Sequence, residues 1–267
     1  MLFAVSLLLL CAGISASGDF HCTLIPGKLK QIDAGAGEVY GVNDGDDIYR
    51  WVNNDWIQIP GKLIHVSVGP AGVWGVNKDN VIYKFQDNDW MSVPGFLKQV
   101  DAGGDKFLGG VNARNSIYCL RRSCTVSRSS VVHFTPLDGS VKYYSCGPLG
   151  CWGVNSANSI YFRHNVKPTS CLGTQWEHVD GSLAMIEVST DGSVYGVNSA
   201  GSVYRRDGIS AETPTGTSWT ELDFCVTFKH VTYDNGYLWL LDPTGDIYRC
   251  EETDLAITQD QAQRSLV

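Results

Sequence analysis

The stretch Val39-Tyr40-Gly41-Val42-Asn43, followed by Ile48-Tyr49, decides the fold because it returns along the chain. Its later copies are Trp74-Gly75-Val76-Asn77 with Ile82-Tyr83, Gly109-Gly110-Val111-Asn112 with Ile117-Tyr118, Trp152-Gly153-Val154-Asn155 with Ile160-Tyr161, Tyr195-Gly196-Val197-Asn198 with Val203-Tyr204, and the degenerate Trp239-Leu240-Leu241-Asp242 with Ile247-Tyr248. The steps between copies are 34, 35, 43, 43 and 44 residues. Self-similarity at such a period indicates one supersecondary unit used six times.

Each unit contains four short apolar segments, which in the second unit cover 63–68, 72–76, 81–85 and 90–93. Short runs rich in Val, Ile, Tyr and Trp, separated by Gly, Asn, Asp and Pro, are typical of strands and turns. No segment longer than ten residues has a 3.6-residue period, so we expect almost no helix. Six such units predict an all-β chain folded as a six-bladed β-propeller.

The turn between the second and third strands of each unit has the most specific sequence. Its first position is Asn43, Asn77, Asn112, Asn155, Asn198 or Asp242, and three residues later come Asp46, Asn80, Asn115, Asn158, Gly201 and Gly245. Asn and Asp side chains bond their own backbone, and Asn, Asp and Gly accept a left-handed conformation. We therefore predict a type I turn that ends in a left-handed residue, which explains the recurrent Asn before any ligand is invoked.

The N-terminal segment 21–27 matches 55–61, which is the fourth strand of a unit, while the last unit has only three strands before Cys250. We expect the N-terminal segment to supply the fourth strand of blade 6 and so to close the ring. Cys22 and Cys250 would then lie on adjacent strands, and we predict a disulfide between them.

The chain has nine cysteines, and Cys11 lies in an N-terminal apolar run. The other eight form an even number, which favours four disulfides in an oxidising compartment. Short spacing predicts the local pairs Cys119–Cys124 and Cys146–Cys151. Cys171 and Cys225 then pair by elimination.

Both ends of the chain differ from the repeats. Residues 1–17, apolar from Leu2 to Ala12 and then small, predict a secretory signal peptide cleaved after Ala16, Ser17 or Gly18. The propeller would cover 18–250, and 251–267 would be a polar tail. We expect a secreted, extracellular protein without membrane insertion, because the apolar run is too short to span a bilayer. Insertions at 121–132, 164–175 and 207–218 all fall between third and fourth strands, so they should project from one rim.

The charge pattern argues against nucleic acid as a partner. The net charge is −8 and no cluster of Lys and Arg stands out, whereas a phosphate backbone needs a concentrated basic face. The six histidines are scattered, and no nucleophile elbow, phosphate-binding loop or zinc signature is present. We therefore expect no enzymatic activity.

The repeated unit Trp-x-x-Val/Ile-Pro-Gly-x-Leu, Trp/Tyr-Gly-Val-Asn and Ile-Tyr resembles the tectonin repeat from residue 22 to residue 250. The signal peptide and the eight-cysteine pattern resemble the fish-egg lectins, the secreted animal branch of that family. The resemblance implies a sugar-binding propeller that recognises N-acetylglucosamine-type sugars and bacterial lipopolysaccharide in the innate defence of eggs or plasma. The chain departs from the pattern at Gly109, at Phe134 and at Leu240-Leu241-Asp242.

Sugar binding needs an aromatic face for the apolar side of the ring and planar amides or carboxylates for its hydroxyls. The candidate carbohydrate-binding residues are Tyr40 and Asn43, Trp74 and Asn77, Trp152 and Asn155, Tyr195 and Asn198, and Trp239 and Asp242. The alternative is that these aromatic residues pack between blades while the polar residues cap turns. We interpret Trp56, Trp90, Trp176 and Trp219 as structural, because they recur with the closing strand.

A second pattern lies in the first strand of each unit, which should be nearest the central axis. Its members are Asp33, Ser67, Asp101, Ser145, Glu187 and Thr232. Converging oxygens could hold a hard cation, and a Ca²⁺ near Asp33, Asp101 and Glu187 is one interpretation. We favour the other, in which no cofactor is bound and these side chains line a solvated channel or bond neighbouring strands.

Two functions therefore remain open. The first is a lectin with weak sites on several blades, which would hold a repetitive surface by avidity on one ring or on a homo-oligomer. The second is a non-catalytic structural or protein-interaction scaffold, for example of an egg envelope, with the insertions as its contact surface.

Overall fold

The computed structural model describes residues 20–127 and 132–252. These residues form 24 strands and one four-residue helix, and the strands make six four-stranded antiparallel sheets. The all-β, six-bladed propeller is therefore confirmed. The proposed signal peptide at 1–17 and the tail beyond residue 252 lie outside the described residues.

Each blade uses four strands in sequence order, except that the last blade takes the N-terminal strand. Blades 1 to 3 contain β2 (Gln31–Gly35), β3 (Glu38–Val42), β4 (Asp47–Val52) and β5 (Asp55–Lys62); β6 (His65–Gly69), β7 (Gly72–Val76), β8 (Val81–Gln86) and β9 (Asp89–Phe96); and β10 (Gln99–Asp101), β11 (Leu108–Val111), β12 (Ser116–Leu120) and β13 (Thr135–Ser140). Blades 4 to 6 contain β14 (Tyr143–Gly147), β15 (Gly150–Val154), β16 (Ile160–Arg163) and β17 (Trp176–Val179); β18 (Met185–Val188), β19 (Val194–Val197), β20 (Val203–Asp207) and β21 (Ser218–Leu222); and β22 (His230–Asp234), β23 (Tyr237–Leu241), β24 (Asp246–Glu252) and β1 (Phe20–Lys28). The helix α1 (Arg122–Thr125) follows β12.

Burial decreases from the axis outward along each blade. All five residues of β2 and of β6 are buried, whereas most residues of β5 are exposed. The inner strands lie between neighbouring blades on both faces, so apolar side chains are needed on both alternations of the strand. This accounts for the near-continuous Val, Ile and Trp content of the first two strands of each unit.

The turn after the second strand has the predicted geometry. In blade 1 the Asp46 amide donates to the Asn43 carbonyl over 3.0 Å, and the Asn43 side-chain oxygen accepts from the Asp47 amide over 2.8 Å. The left-handed residue three positions after the turn Asn or Asp has φ between 62° and 89° in every blade: Asp46, Asn80, Asn115, Asn158, Gly201 and Gly245. The recurrent Asn thus completes a turn.

The glycine of Gly-Val-Asn is required by close packing inside the blade. A Cβ at Gly75 would lie 2.9 Å from the His65 carbonyl oxygen and would overlap the buried Leu63 side chain. Leu63 is the leucine of the Pro-Gly-x-Leu segment, and its amide donates to the Asp46 carbonyl of the preceding blade over 3.0 Å. Two parts of the repeat motif therefore fit against each other.

The outer tryptophans pack against the preceding blade. Gly61 has φ +118°, and a Cβ there would lie 3.0 Å from the Trp90 ring of the next blade. The indole N–H of Trp176 donates to the Asp138 carbonyl over 2.9 Å across the corresponding junction. The structural interpretation of these tryptophans agrees with both contacts.

The ring closes as the sequence predicted. Strand β1 pairs antiparallel with β24 and places Cys22 opposite Cys250, and these two residues form a disulfide. The innermost strands contact one another around the ring, and β22 of blade 6 contacts β2 of blade 1. One covalent bond and one strand pair therefore join the two ends of the propeller.

Two of the remaining disulfide predictions are wrong. Cys146 and Cys151 are bonded as predicted, but Cys119 bonds Cys171 rather than Cys124, which excludes the Cys171–Cys225 pair as well. Cys124 carries a free thiol in α1. The physical reason is that the insertions of blades 3 and 4 meet across the blade junction, so the partner nearest in space is 52 residues away in sequence.

The insertions connect the third and fourth strands of their blades, as expected, and cover 121–134, 164–175 and 208–217. Within 20–127 and 132–252, no helix is long and apolar enough to span a membrane.

Removing the ring-closing disulfide should destabilise the fold more than removing a short-range one. The Cys22–Cys250 bond spans 228 residues and the Cys146–Cys151 bond spans 5. In the chain-entropy model these loops correspond to about 5 and about 2 kcal/mol. We expect Cys22→Ala/Cys250→Ala to lower the free energy of unfolding in urea by more than Cys146→Ala/Cys151→Ala. Equal losses would show that β1 is held in blade 6 without help from the bond.

Candidate ligand-binding surfaces and the axial network

The five aromatic residues predicted to bind sugar lie inside the ring. Their exposed fractions are 1% for Tyr40, 1% for Trp74, 2% for Trp152, 4% for Tyr195 and 3% for Trp239. Trp152 packs edge-to-face on Phe162 and Trp219, with ring centroids 5.1 and 6.1 Å apart. A sugar needs an exposed ring face for stacking, so this burial favours a packing role. Their sugar-binding role stays a prediction.

The polar residues paired with them lie at the blade edge and cap turns. The Asn77 side-chain oxygen accepts from the amides of Asp79 and Val81 over 3.0 and 2.9 Å, and its equivalents do the same in other blades. The capping role uses the amide oxygen and leaves the NH₂ group for other partners. In blade 5 the Asn198 NH₂ group donates to the Tyr204 hydroxyl over 3.5 Å.

Tyr204 belongs to a group of partly exposed tyrosines that the sequence analysis did not consider as sugar-binding residues. The third-strand tyrosine of every blade is half-buried, and we call this set the rim tyrosines: Tyr49, Tyr83, Tyr118, Tyr161, Tyr204 and Tyr248. Five of these rings pack against buried core clusters and stay partly exposed, as is usual for an amphipathic tyrosine: Tyr49, Tyr83, Tyr118, Tyr204 and Tyr248. The signal was present, since each rim tyrosine follows the turn at a fixed distance in the Ile-Tyr or Val-Tyr pair.

The surroundings of the rim tyrosines differ between blades. In blade 5 the Tyr204 hydroxyl donates to the Glu221 carboxylate over 2.9 Å. Partial burial, followed by this hydrogen bond, raises the pKa of Tyr204, so the phenol stays protonated and able to donate. In blade 6 the residue opposite Tyr248 is Leu24, which is apolar and 58% exposed. The blades are therefore not equivalent as ligand sites.

In blade 1 the rim tyrosine Tyr49 lies near several polar side chains. The Asp47 carboxylate accepts from the Asn43 NH₂ group over 3.3 Å, from Gln58 over 3.2 Å and from Lys62 over 2.6 Å. The Asn43 NH₂ group also lies 3.5 Å from the Tyr49 hydroxyl. Amide, ammonium, carboxylate and phenol groups thus meet on one surface.

The side-chain oxygens of the first strands form hydrogen bonds with the next blade. The sequence analysis had favoured this role, or a solvated channel wall, over a bound cation. At five of the six described junctions, a side-chain oxygen accepts a backbone amide of the following blade: Asp33 from Val68 (2.7 Å), Ser67 from Ala102 (2.8 Å), Asp101 from Cys146 (2.9 Å), Ser145 from Val188 (2.9 Å) and Thr232 from Ala34 (3.0 Å). These residues are buried, so they form an axial hydrogen-bond network.

Three carboxyl groups share this buried network. The Ser145 hydroxyl lies 2.9 Å from the Asp101 carboxyl and 2.8 Å from the Glu187 carboxyl, yet it has one hydrogen to donate. The Tyr143 hydroxyl donates to the other Glu187 oxygen over 2.5 Å. Burial raises the pKa of Asp33 to about 7 and, with help from the nearby Asp33 charge, that of Asp101 to about 8. The pKa of Glu187 is raised well above its ordinary value for the same two reasons.

Two buried histidines and Tyr143 lie beside these carboxyls. The His65 and Tyr143 ring centroids are 5.9 Å apart, and those of Tyr143 and His230 are 6.3 Å apart. His230 Nε2 lies 2.6 Å from the Ile32 carbonyl oxygen, whereas His65 Nδ1 has no hydrogen-bond partner among the described residues. Burial lowers the pKa of His65 to about 3 and that of His230 to about 4, so both are neutral at physiological pH.

The axial carboxylates are already occupied by protein donors. Asp33 accepts from Val68 and Thr232, and Asp101 accepts from Gly103, Cys146 and Ser145. In the described part of the chain no group of three or more His, Cys, Asp or Glu side chains is arranged to hold a metal ion. A Ca²⁺ would have to replace these hydrogen bonds, so the donor set does not fit it.

Comparison with known families assigns the chain to a family. The family described as Tectonin domain matches residues 28–243, which cover the repeats from the end of β1 through β23. The chain belongs to the tectonin family. Within this tectonin protein, the family match begins where the ring-closing strand ends and stops at the degenerate sixth turn.

A curated relative supports the same placement. The tectonin chain is 49% identical over 236 residues to a fish-egg lectin of Cyprinus carpio, and the alignment covers 87% of this chain and 99% of the relative.

Solved structures with low sequence identity share the fold of this tectonin protein. Virginiamycin B lyase from Staphylococcus aureus has a TM-score of 0.55 at 14% identity, over 80% of this chain and 77% of its own. The RRP9 WD40 repeats give 0.55 at 7% identity, over 87% and 97%. YCF48 from Cyanidioschyzon merolae gives 0.54 at 16%, over 82% and 81%.

Replacing a buried aromatic of the repeat tests its role in packing. Trp152 is 2% exposed, so Trp152→Ala should leave a cavity and lower the free energy of unfolding by about 3–5 kcal/mol. Urea unfolding followed by circular dichroism measures the loss. Unchanged stability together with weakened sugar binding would instead assign Trp152 a direct contact with the ligand.

The stability of the protein should fall as pH rises above about 6.5. The pKa values of Asp33 and Asp101 are raised to about 7 and about 8, and that of Glu187 is raised as well, so the folded state holds more protons than the unfolded state and loses stability as pH rises through these values. The lowered pKa values of His65 and His230 act in the opposite direction, but only below the unfolded value of about 6.5. Urea unfolding at pH 6.5, 7.5 and 8.5 measures the slope.

Asp101→Asn should flatten this slope while keeping the fold. Its amide oxygen can still accept from Cys146, and its NH₂ group can donate to Ser145. Asp44→Asn is the matched control, since Asp44 is exposed in the blade 1 turn. A slope unchanged by Asp101→Asn would contradict the shared buried protons.

Proposed function

We propose that this chain is a carbohydrate-binding lectin. The observation that carries the proposal is the 49% identity to a fish-egg lectin over nearly the whole length of that relative.

The rim tyrosines and their polar neighbours offer the chemistry that a sugar requires. In blade 5, Tyr204, Asn198 and Glu221 combine a half-exposed aromatic ring with an amide and a carboxylate on one surface. Sugar hydroxyls bond such groups, and the apolar face of the sugar ring packs on the aromatic. We therefore place the sugar site at the rim tyrosines, with the turn residues as partners: Asn43, Asn77, Asn155, Asn198 and Asp242.

The buried aromatic candidates then support the site without contacting the sugar. Tyr40, Trp74, Trp152, Tyr195 and Trp239 are buried, so we propose that they fix the second strand on which each turn is built. Direct contact with sugar would require the ring faces to become exposed.

The finer parts of the proposal concern the ligand and the setting. We propose N-acetylglucosamine-type glycans, including those of bacterial lipopolysaccharide, as ligands of a secreted protein in the innate defence of eggs or plasma. A site made of one phenol and a few polar groups is weak. Six related sites on one rigid ring, or more on a homo-oligomer, would gain affinity on a repetitive surface by avidity.

Removing rim hydroxyls should weaken sugar binding without unfolding the protein. Tyr49→Phe/Tyr204→Phe keeps both rings and deletes their hydroxyls. We expect a loss of about two- to tenfold in affinity for N-acetylglucosamine by calorimetry, the usual range for one hydrogen bond to a neutral group. Tyr248→Phe is the comparison, and we expect a smaller loss there because the neighbour of Tyr248 across the strand pair is the apolar Leu24.

A glycan array and a chitin column separate the lectin from the scaffold alternative. We expect binding to chitin that free N-acetylglucosamine elutes. The lectin proposal fails if the array gives no signal above background and the sugar does not elute the protein.

A further inference from the structure

Positive and negative charges are unevenly distributed along the chain. The sequence analysis, which found no cluster of Lys and Arg, overlooked this. The stretch 106–176 contains eight basic residues: Lys106, Arg114, Arg121, Arg122, Arg128, Lys142, Arg163 and Lys167. Its one acidic residue is Asp138. This stretch has a net charge of +7 in a chain of net charge −8, so the remainder carries −15. Most of blades 3 and 4 is therefore basic within an acidic protein.

A pocket lies on the insertions of these two blades. It has a volume of about 360 Å³ and is lined by Arg121, Arg122, Ser123, Val126 and Thr169. We call it the arginine pocket. Among the described residues, its lining contains two arginines, a serine and a threonine and has no acidic residue.

The framework of the arginine pocket is fixed by several independent contacts. The Cys119–Cys171 disulfide joins β12, the strand directly before the blade 3 insertion, to the blade 4 insertion, and the Arg122 amide donates to the Pro168 carbonyl over 3.0 Å. Thr125 is buried, and its hydroxyl donates to the Lys106 carbonyl. The insertions are therefore held together although they come from different blades, which keeps the cost of ordering the pocket low.

The amine of Lys84, from blade 2, secures the far end of α1. It donates to the Thr125 carbonyl over 2.7 Å and to the Ser127 carbonyl over 3.0 Å.

Neither guanidinium of the pocket has a carboxylate partner among the residues that the structure describes. Both Arg121 and Arg122 are exposed and take part in no ion pair there. Asp138, the one acid of the stretch, is already bonded to Arg163 over 2.7 Å. Each guanidinium presents a planar fork of N–H donors, which matches the geometry of a phosphate or a carboxylate.

We infer that the arginine pocket is a second ligand site, which binds the oxyanion, a phosphate or a carboxylate, of an anionic sugar. That a sugar carries the oxyanion rests on the proposed lectin function, whereas the preference for an oxyanion rests on the pocket alone. The pocket contains residues of the insertions only, so it is distinct from the rim tyrosines. A glycan with both neutral and anionic residues could engage the two sites together.

Calorimetric titration of the whole protein tests this site. The probes are N-acetylglucosamine 6-phosphate, glucuronic acid, inorganic phosphate and neutral N-acetylglucosamine. We expect Arg121→Gln/Arg122→Gln to weaken binding of N-acetylglucosamine 6-phosphate by about tenfold or more, as befits lost charge-assisted hydrogen bonds, and to leave the neutral sugar unchanged. Arg121→Lys/Arg122→Lys should restore part of the affinity because it keeps the charge.

The control is Lys78→Gln/Arg114→Gln, which removes two exposed positive charges from turns of blades 2 and 3. An equal loss in this control would overturn the site, since it would show attraction by net charge alone. Higher salt should weaken binding of the charged probes and not of the neutral sugar.

The outcomes also separate this site from the lectin proposal. Inorganic phosphate that binds through the arginines while no neutral sugar binds would support the site and refute the lectin. Neutral sugar that binds with no preference for either charged probe would overturn the site and support the lectin. A preference for the phosphorylated sugar or for glucuronic acid identifies which oxyanion the site takes.

Discussion

The side-chain oxygen that accepts a backbone amide from the next blade is the contact on which the ring depends. Inner strands of a propeller contribute no further strand pairing between blades, so adjacent sheets need another directional bond. Asp33, Asp101 and Ser145 each provide it with one buried oxygen. Burying a polar group is costly unless its hydrogen bonds are complete, so this network strongly favours one arrangement of the blades.

This arrangement also decides where function can lie. Carboxyl groups at the axis are buried and already hydrogen-bonded to protein donors, which leaves them unsuited to a ligand. The second-strand aromatics are buried between blades for the same packing reason. What remains for recognition is the outer edge, where rim tyrosines such as Tyr49 and Tyr204 are half-exposed beside polar groups.

The sequence predicted the parts of the structure that the repeat itself encodes. The blade number, the turn geometry at Asn43 and its equivalents, the ring closure by β1 and the Cys22–Cys250 bond all follow from residues aligned within one period. Contacts between insertions do not repeat, and the Cys119–Cys171 bond was missed because no alignment of units places those residues together. The burial of the aromatic residue before Gly-Val-Asn could not be predicted either, because Trp and Tyr occur both in protein cores and in sugar sites.

Repetition and insertion therefore supply different kinds of surface. The repeat sets six similar edges on a rigid circle, which suits weak contacts made many times to a periodic ligand. The insertions break that symmetry, and here they bring together two arginines that have no acidic partner in the described part of an acidic protein. A uniform ring could recognise only a uniform feature of a glycan, whereas one added charged pocket gives the ring a defined orientation toward an anionic group. Selectivity in this protein then comes from the positions where it departs from its own repeat.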